Sequence, residues 1–261
     1  MFVIGERING MFRSVARAIR ERDVNAIADL ARRQVAAGAG ALDLNTGPTG
    51  EDPTEVMTWL VETVQEAVDV PLSIDSPRPP VIAAGLRACR RPAIINSTTG
   101  AREKLDALLP LAAEFGAGLI ALTIDERGIP RNAAARAEIA LTIVARTTEA
   151  GLPGDRIYLD PIVLPVNAAQ DQCREALLAI PSFRALCEPA PHIIIGLSNV
   201  SQGTANRSLI NRTYLAMAMA LGLDAAILDP LDQDLMDALR TAGILLNQEI
   251  YAESYLQRRP A

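Results

Sequence analysis

Short apolar runs alternate with longer helical stretches along the whole chain. The runs are Phe2–Gly5, Ala41–Leu44, Pro71–Ile74, Ala93–Ile95, Leu119–Leu122, Ile157–Leu159, Ile193–Leu197 and Ala225–Leu228. Near-continuous apolar strands between helices indicate parallel strands buried on both faces. Several runs follow one junction, a helix closed by glycine and then an immediate strand. Ala37-Gly38-Ala39-Gly40-Ala41-Leu42, Phe115-Gly116-Ala117-Gly118-Leu119 and Leu221-Gly222-Leu223-Asp224-Ala225 are examples. Glycine there takes the left-handed conformation that ends a helix. Helix starts are marked as well. Asp52-Pro53-Thr54-Glu55 supplies a cap, a proline in the first turn and a reciprocal glutamate, and Asp232 can cap the last helix. Eight such units predict a (β/α)8 barrel, an α/β fold in one domain over residues 1–261. A doubly wound open sheet is the rival. It would carry a glycine fingerprint after the first strand, and Gly5-Glu6-Arg7-Ile8-Asn9-Gly10 lacks that spacing.

Composition narrows the partners. With 49% hydrophobic and 21% charged residues the chain can bury a large core. A net charge of −6 argues against nucleic acid, which demands a cationic face. The arginines are spread along helices and read as solvated faces. Cys89, Cys173 and Cys187 have no metal-ligand spacing and cannot all pair, which favours a reduced cytosolic chain with buried thiols. The opening Met1-Phe2-Val3-Ile4-Gly5-Glu6-Arg7 turns polar too soon for a signal peptide. No apolar run reaches the roughly 18 residues of a membrane helix. The expectation is a soluble cytoplasmic protein with no membrane contact.

The informative positions are where strands stop. Leu44-Asn45, Ile74-Asp75, Ile95-Asn96, Leu159-Asp160 and Leu197-Ser198-Asn199 each end an apolar run in an amide or a carboxylate. In a barrel these ends share one rim, where active sites lie. Glu6, Arg7, Asn9, Asp43, Ser76, Ser97, Thr98, Thr123, Asp125, Gln202 and Asp229 fall there too. Singly, each has a plainer reading. An Asp after a strand is often a helix cap, Asn45 before Thr46-Gly47-Pro48 can be turn chemistry, and Glu6 with Arg7 can be a structural ion pair. Capping alone does not require amides and carboxylates together at one rim. Carboxylates accept paired N–H groups while an amide both donates and accepts, which suits a pterin with its 2-amino, N3–H and N8–H donors and O4 acceptor. Cationic and imidazole chemistry is scarce, because Lys104 is the one lysine and His192 the one histidine. Lys104 reads as a surface group. His192 begins a strand, so it belongs to the opposite, stabilising face. Without a His or Lys at the rim, zinc, Schiff-base and acyl-enzyme mechanisms have no basis.

These residues resemble a known family. Ile4-Gly5-Glu6-Arg7-Ile8-Asn9-Gly10, Ala41-Leu42-Asp43-Leu44-Asn45, Asn96-Ser97-Thr98, Asp160-Pro161 and Gly196-Leu197-Ser198-Asn199-Val200-Ser201-Gln202 are similar to motifs of the pterin-binding methyltransferases. So are Asn211–Ala220 and Gly222–Ala226. These enzymes move a methyl group between methyltetrahydrofolate and a corrinoid protein, and the chain resembles in particular the methyltetrahydrofolate:corrinoid/iron–sulfur protein methyltransferases. Dihydropteroate synthase shares the barrel more distantly, and it requires a lysine near the end of the seventh strand, where this chain has Gly196-Leu197-Ser198-Asn199.

The resemblance implies roles. Asp75, Asn96 and Asp160 would hold the pterin edge, and Asn199 would reach N5, which bears the methyl group. Asp160 would help to relay a proton. Gly196, Ser198, Gln202 and Arg207 would line the folate site, with Arg207 toward the glutamate tail. 5-Methyltetrahydrofolate and tetrahydrofolate are the implied folates. The cobalamin-type corrinoid would arrive on a partner protein, since His192 has no cobalt-ligand context. Family members are homodimers, and the apolar stripe Leu215–Leu221 would either serve that contact or pack on the barrel. Some members take the methyl from folate to a corrinoid/iron–sulfur protein. Others return methyl groups from O- or N-demethylation to tetrahydrofolate. A non-catalytic folate-binding module is the alternative from another class.

Overall fold

A computed structural model describes residues 1–251. The eight runs form strands β1 (Phe2–Asn9), β2 (Ala41–Asn45), β3 (Leu72–Asp75), β4 (Ile94–Thr99), β5 (Gly118–Leu122), β6 (Ile157–Asp160), β7 (His192–Gly196) and β8 (Ala225–Leu228). All pair in parallel in sequence order, and β8 returns to β1 to close the barrel. The surrounding helices are α1 (Arg13–Arg20), α2 (Val24–Ala36), α3 (Pro53–Ala67), α4 (Pro79–Ala88), α5 (Arg102–Phe115), α6 (Ala133–Glu149), α7 (Gln170–Arg184), α8 (Arg207–Ala220) and α9 (Gln233–Leu245). The expected (β/α)8 barrel is therefore the observed fold.

Side-chain alternation along each strand sorts residues into two cores. Leu42, Leu44, Ile74, Ile95, Leu119, Leu159 and Ile195 point outward and pack with the helices in one large cluster. Ile4, Ala41, Ile94, Ile120, Ile194 and Ala225 point inward and fill the barrel as a second, separate apolar plug. Two residues further along, the same parity brings Glu6, Asp43, Asn96 and Gly196 to the inner face, one layer above the plug. The barrel is thus apolar inside up to mid-height and polar in its upper layer. This stacking puts the polar side chains at the C-terminal mouth.

The strands run further than their apolar runs predict. β1 continues through Glu6 and Arg7 to Asn9, with a register shift against β2 between Gly5 and Ile8. β4 continues through Asn96 to Thr99, shifting between Asn96 and Thr98. The terminal polar residues stay in the ladder through their backbone partners, and the Asn45 side chain also bonds to Asp75. Asn9 pairs with Asn45, Asn45 with Asp75, and Asp75 with Asn96 along one level of the rim. β7 instead stops earlier than expected, at Gly196, and a 3-10 turn takes Leu197–Asn199.

Gly38, Gly116 and Gly222 have φ of 111°, 57° and 105°, as the helix-to-strand junctions require. Asp52 and Asp232 cap α3 and α9 through the backbone N–H groups of Thr54 and Leu235. The face of α8 carrying Leu215, Ala218 and Met219 is buried against the barrel, so that stripe is core. The three cysteines are free and half-buried rather than fully buried. Among the described residues, no helix is long and apolar enough to cross a membrane. Below the plug, His192 stacks on Tyr158 at 4.8 Å, and its Nδ1 lies 3.0 Å from Asp224 Oδ2. Asp224 also accepts the Ile193 N–H and an Arg184 guanidinium N–H. That closed cluster makes His192 a structural residue of the barrel floor.

Candidate functional site

The polar upper layer is a connected network. Asn45 donates from Nδ2 to Asp75 Oδ2 at 2.7 Å, and its Oδ1 accepts the Gly47 N–H at 2.7 Å. Gly47, at φ 63°, provides the turn that makes this possible. The plain turn reading and the rim reading of Asn45 therefore both hold. Asn96 donates from Nδ2 to Asp43 Oδ1 at 3.0 Å, and Asp43 is buried. On the next strand, Thr123 just past the end of β5 gives both its backbone N–H and its hydroxyl to the Asp160 carbonyl, at 3.0 and 2.9 Å. The Asp160 carboxylate accepts the Ile162 N–H at 2.7 Å and a backbone bond from Gly196.

Gly196 joins this layer to the next feature. A methyl group built on it would lie 3.0 Å from Asn199 Nδ2, so the missing side chain is what lets the Asn199 amide fold over the end of β7. Asn199 is exposed, and among the described residues nothing holds its side-chain amide. It opens on a cleft of about 590 Å3 lined by Glu6, Arg7, Asn9, Ser198, Asn199, Gln202, Arg207, Asn211 and Asp229, among others. Ser198 donates to Glu6 Oε1 at 2.7 Å. Arg207 lines the cleft, but its Nε and Nη2 go to Ser201 Oγ (3.1 Å) and the Ser198 carbonyl (3.2 Å). It clamps the loop that carries Asn199.

Electrostatics give the mouth its character. Burial raises the Asp160 carboxyl to about 7, against the N–H bonds and the Arg136 charge that favour its ionised form. Burial also raises Asp43, reinforced by the neighbouring Asp75. Asp75 is raised by burial while the Asn45 bond opposes this. Glu6 is raised by burial against the Ser198 bond. Four carboxyls at one mouth therefore hold protons to higher pH than usual. Protonated, each can donate; ionised, each accepts. Such a set can grip a flat heterocycle bearing both donors and acceptors, and can pass a proton near neutrality.

The sequence-based site is placed as follows. Ser198, Asn199, Gln202 and Arg207 share the cleft. Asp75 and Asn96 lie on the same mouth in the Asp43–Asn45 network, and Asp160 bonds to Gly196 at the end of β7. Asp75, Asn96 and Asp160 do not line the cleft itself. The Glu6–Arg7 ion pair is not formed, since Glu6 meets Ser198 and Arg7 pairs with Asp229 at 3.4 Å. Asp43 and Glu6 fell on the rim in sequence but without a role. The signal was available for Asp43, a carboxylate between two leucines in a strand. Thr123 fell on the rim in sequence, but its bonds to the Asp160 carbonyl, like the place of Arg136, were legible only from the fold. Lys104 is exposed on α5. Among the described residues, no group of three or more His, Cys, Asp or Glu side chains is set to hold a metal ion.

Comparison with known proteins agrees with this architecture. The family model described as pterin binding enzyme matches residues 5–229. The chain is 35% identical over 257 residues to the methylcorrinoid:tetrahydrofolate methyltransferase of Eubacterium limosum, covering 98% of this chain and 94% of that one. It is 30% identical over 239 residues to the methionine synthase of Mycobacterium leprae, of which it spans 20%. Among solved structures, dihydropteroate synthase of Yersinia pestis aligns with a TM-score of 0.72 at 16% identity, covering 95% of this chain and 94% of that chain. Dihydropteroate synthase of Thermus thermophilus aligns at 0.68 and 18%, covering 96% and 94%. At those identities the structural likeness speaks to the barrel alone. The family match and the end-to-end relative show that this chain belongs to the pterin binding enzyme family.

Proposed function

We propose that this protein is a methyltransferase that moves the N5-methyl group between 5-methyltetrahydrofolate and the cobalt of a corrinoid carried by a partner protein. The observation that carries the reading is the end of β7. An exposed Asn199 amide with no partner among the described residues projects there into a cleft, and Gly196 beneath it donates to the Asp160 carboxyl, which burial raises to about 7. A dihydropteroate synthase would need a lysine at that place, and Lys104 lies exposed on α5. The 35% identical relative, named for methyl transfer between methylcorrinoid and tetrahydrofolate, supports the same reading and favours delivery to tetrahydrofolate as the working direction.

The chemistry assigns the residues. Breaking the N5–CH3 bond leaves its electron pair on N5, so the site must supply a hydrogen bond or a proton there. Asn199 is the donor, and it acts mainly on charge that changes in the transition state. Asp160, with its proton exchangeable near neutral pH, is the adjacent source or sink. Asp75 and Asn96 orient the pterin edge, and Gly196, Ser198, Gln202 and Arg207 shape the rest of the folate site. The partner's corrinoid supplies the nucleophile in one direction and the methyl group in the other. The chain contributes alignment and electrophilic help, with no nucleophile of its own.

Titration calorimetry with 5-methyltetrahydrofolate on wild type and on Asp75→Ala tests the site. Binding by wild type, weakened at least tenfold in the variant, is expected. No binding by wild type would sink the proposal, and binding without any methyl transfer would make the chain a folate-binding module.

A further inference from the structure

Arg136 is fully buried, an unusual place for a cation. It projects from α6 beneath the β6–α7 connection. Its Nε donates to the Pro161 carbonyl at 2.6 Å and its Nη2 to Gln172 Oε1 at 3.2 Å, while its buried Nη1 has no partner among the described residues. The surroundings are built to hold it. Gln172 is fixed in turn by donating to the Arg131 carbonyl at 3.0 Å. Glu175, on α7, faces the guanidinium and accepts the Ala133 N–H at 2.8 Å. Tyr214, on α8, also faces it, with its hydroxyl bonded to the Cys173 carbonyl at 2.9 Å.

Directly above, Ile162 has φ 63°, a conformation that a β-branched residue adopts only under constraint. Its N–H nevertheless reaches Asp160 Oδ1, and the intervening carbonyl is the one that Arg136 holds. An apolar side chain would fill this space without burying a charge. We propose that Arg136 is a positioning residue that locks the Asp160–Pro161–Ile162 turn from beneath and so fixes the Asp160 carboxylate at the barrel mouth. This rests on the reading of Asp160 as a folate contact. The same cation is the charged group that faces Asp160, and it favours the ionised carboxylate against burial.

The test uses Arg136→Met, Arg136→Lys and wild type, with a second version of each that carries Asp160→Asn as the control. Urea unfolding across pH 5–9, without folate, reads the titration of Asp160 independently of function. The folate KM and the pH profile of methyl transfer then read its placement. In Arg136→Met the Asp160 midpoint rises by about one pH unit, a tenfold smaller ratio of ionised to protonated carboxyl at a given pH, and the folate KM rises at least tenfold. Arg136→Lys keeps the midpoint but not the fork, so its KM rises several-fold with the pH profile in place. If Arg136→Met fails to fold, the Lys variant decides alone, through a raised KM. Wild-type midpoint and KM in folded Arg136→Met, or wild-type KM in Arg136→Lys when only it folds, would overturn the proposal. Failure of wild type to bind folate would overturn the functional reading and leave the folate-free titration to judge Arg136.

Discussion

Replacing Asp160 by Asn separates the electrostatic role of this carboxyl from its geometric one. The amide oxygen can still accept the Ile162 N–H at 2.7 Å, so the turn should persist. What disappears is an ionisable group that burial raises from 3.8 to about 7. The folded state therefore binds this proton more tightly than the unfolded chain, and the sign follows. Asp160 lowers stability as pH climbs from about 4 to 7, and its full cost applies above 7. The interval of about three pH units, at about 1.4 kcal/mol each, gives a ceiling of about 4 kcal/mol. Urea unfolding followed by circular dichroism at pH 5 and pH 8 measures it on both proteins. Asp43, Asp75 and Glu6 titrate in the same direction in each, so the difference between the two pH dependences isolates Asp160. The variant should gain on wild type between pH 5 and 8 by a substantial part of that ceiling. Identical pH dependence in the two proteins would refute the claim that Asp160 is buried with a proton near neutrality.

Three other perturbations separate fold from function. Gly196→Ala places a methyl 3.0 Å from the Asn199 amide, at an ordinary backbone φ of −79°. Stability by thermal melting should stay within about 0.5 kcal/mol while methyl transfer falls toward the level of Asn199→Ala. Asn96→Ala removes the 3.0 Å bond to buried Asp43, and should cost about 1.5–3 kcal/mol in urea unfolding and weaken folate binding in calorimetry. At the barrel floor the Asp224 bond raises His192, so its contribution is present below the free imidazole value and lost as pH rises through its folded value. In His192→Gln, melting curves should lose that alkaline decline while folate affinity is unchanged.

The fold was legible because strand burial and glycine punctuation are local signals. Eight apolar runs and helix ends such as Gly116 needed no tertiary knowledge. Strand ends were misjudged wherever a polar residue stayed in the ladder, as at Glu6 and Asn96, because their pairing depends on neighbours more than twenty residues away. The rim residues were readable as a set, since apolar runs ending in Asn or Asp advertise the mouth. Their partners were not. That Asn96 serves Asp43, that Arg207 clamps the Ser198–Ser201 loop, and that Arg136 sits under Asp160 all follow from closure of the barrel. A helix arginine carries no mark in the sequence of which way it will turn.

The central claim is methyl transfer assisted at N5 by Asn199, and its most direct test is a single-turnover experiment. Wild type and Asn199→Ala, each saturated with 5-methyltetrahydrofolate as judged by calorimetry, are mixed with cobalt(I) cobalamin, and the cobalt absorbance is followed. The account predicts rapid formation of methylcobalamin by wild type and a rate lower by about 10²–10³ in the variant at equal folate affinity. Equal rates in the two proteins would contradict it.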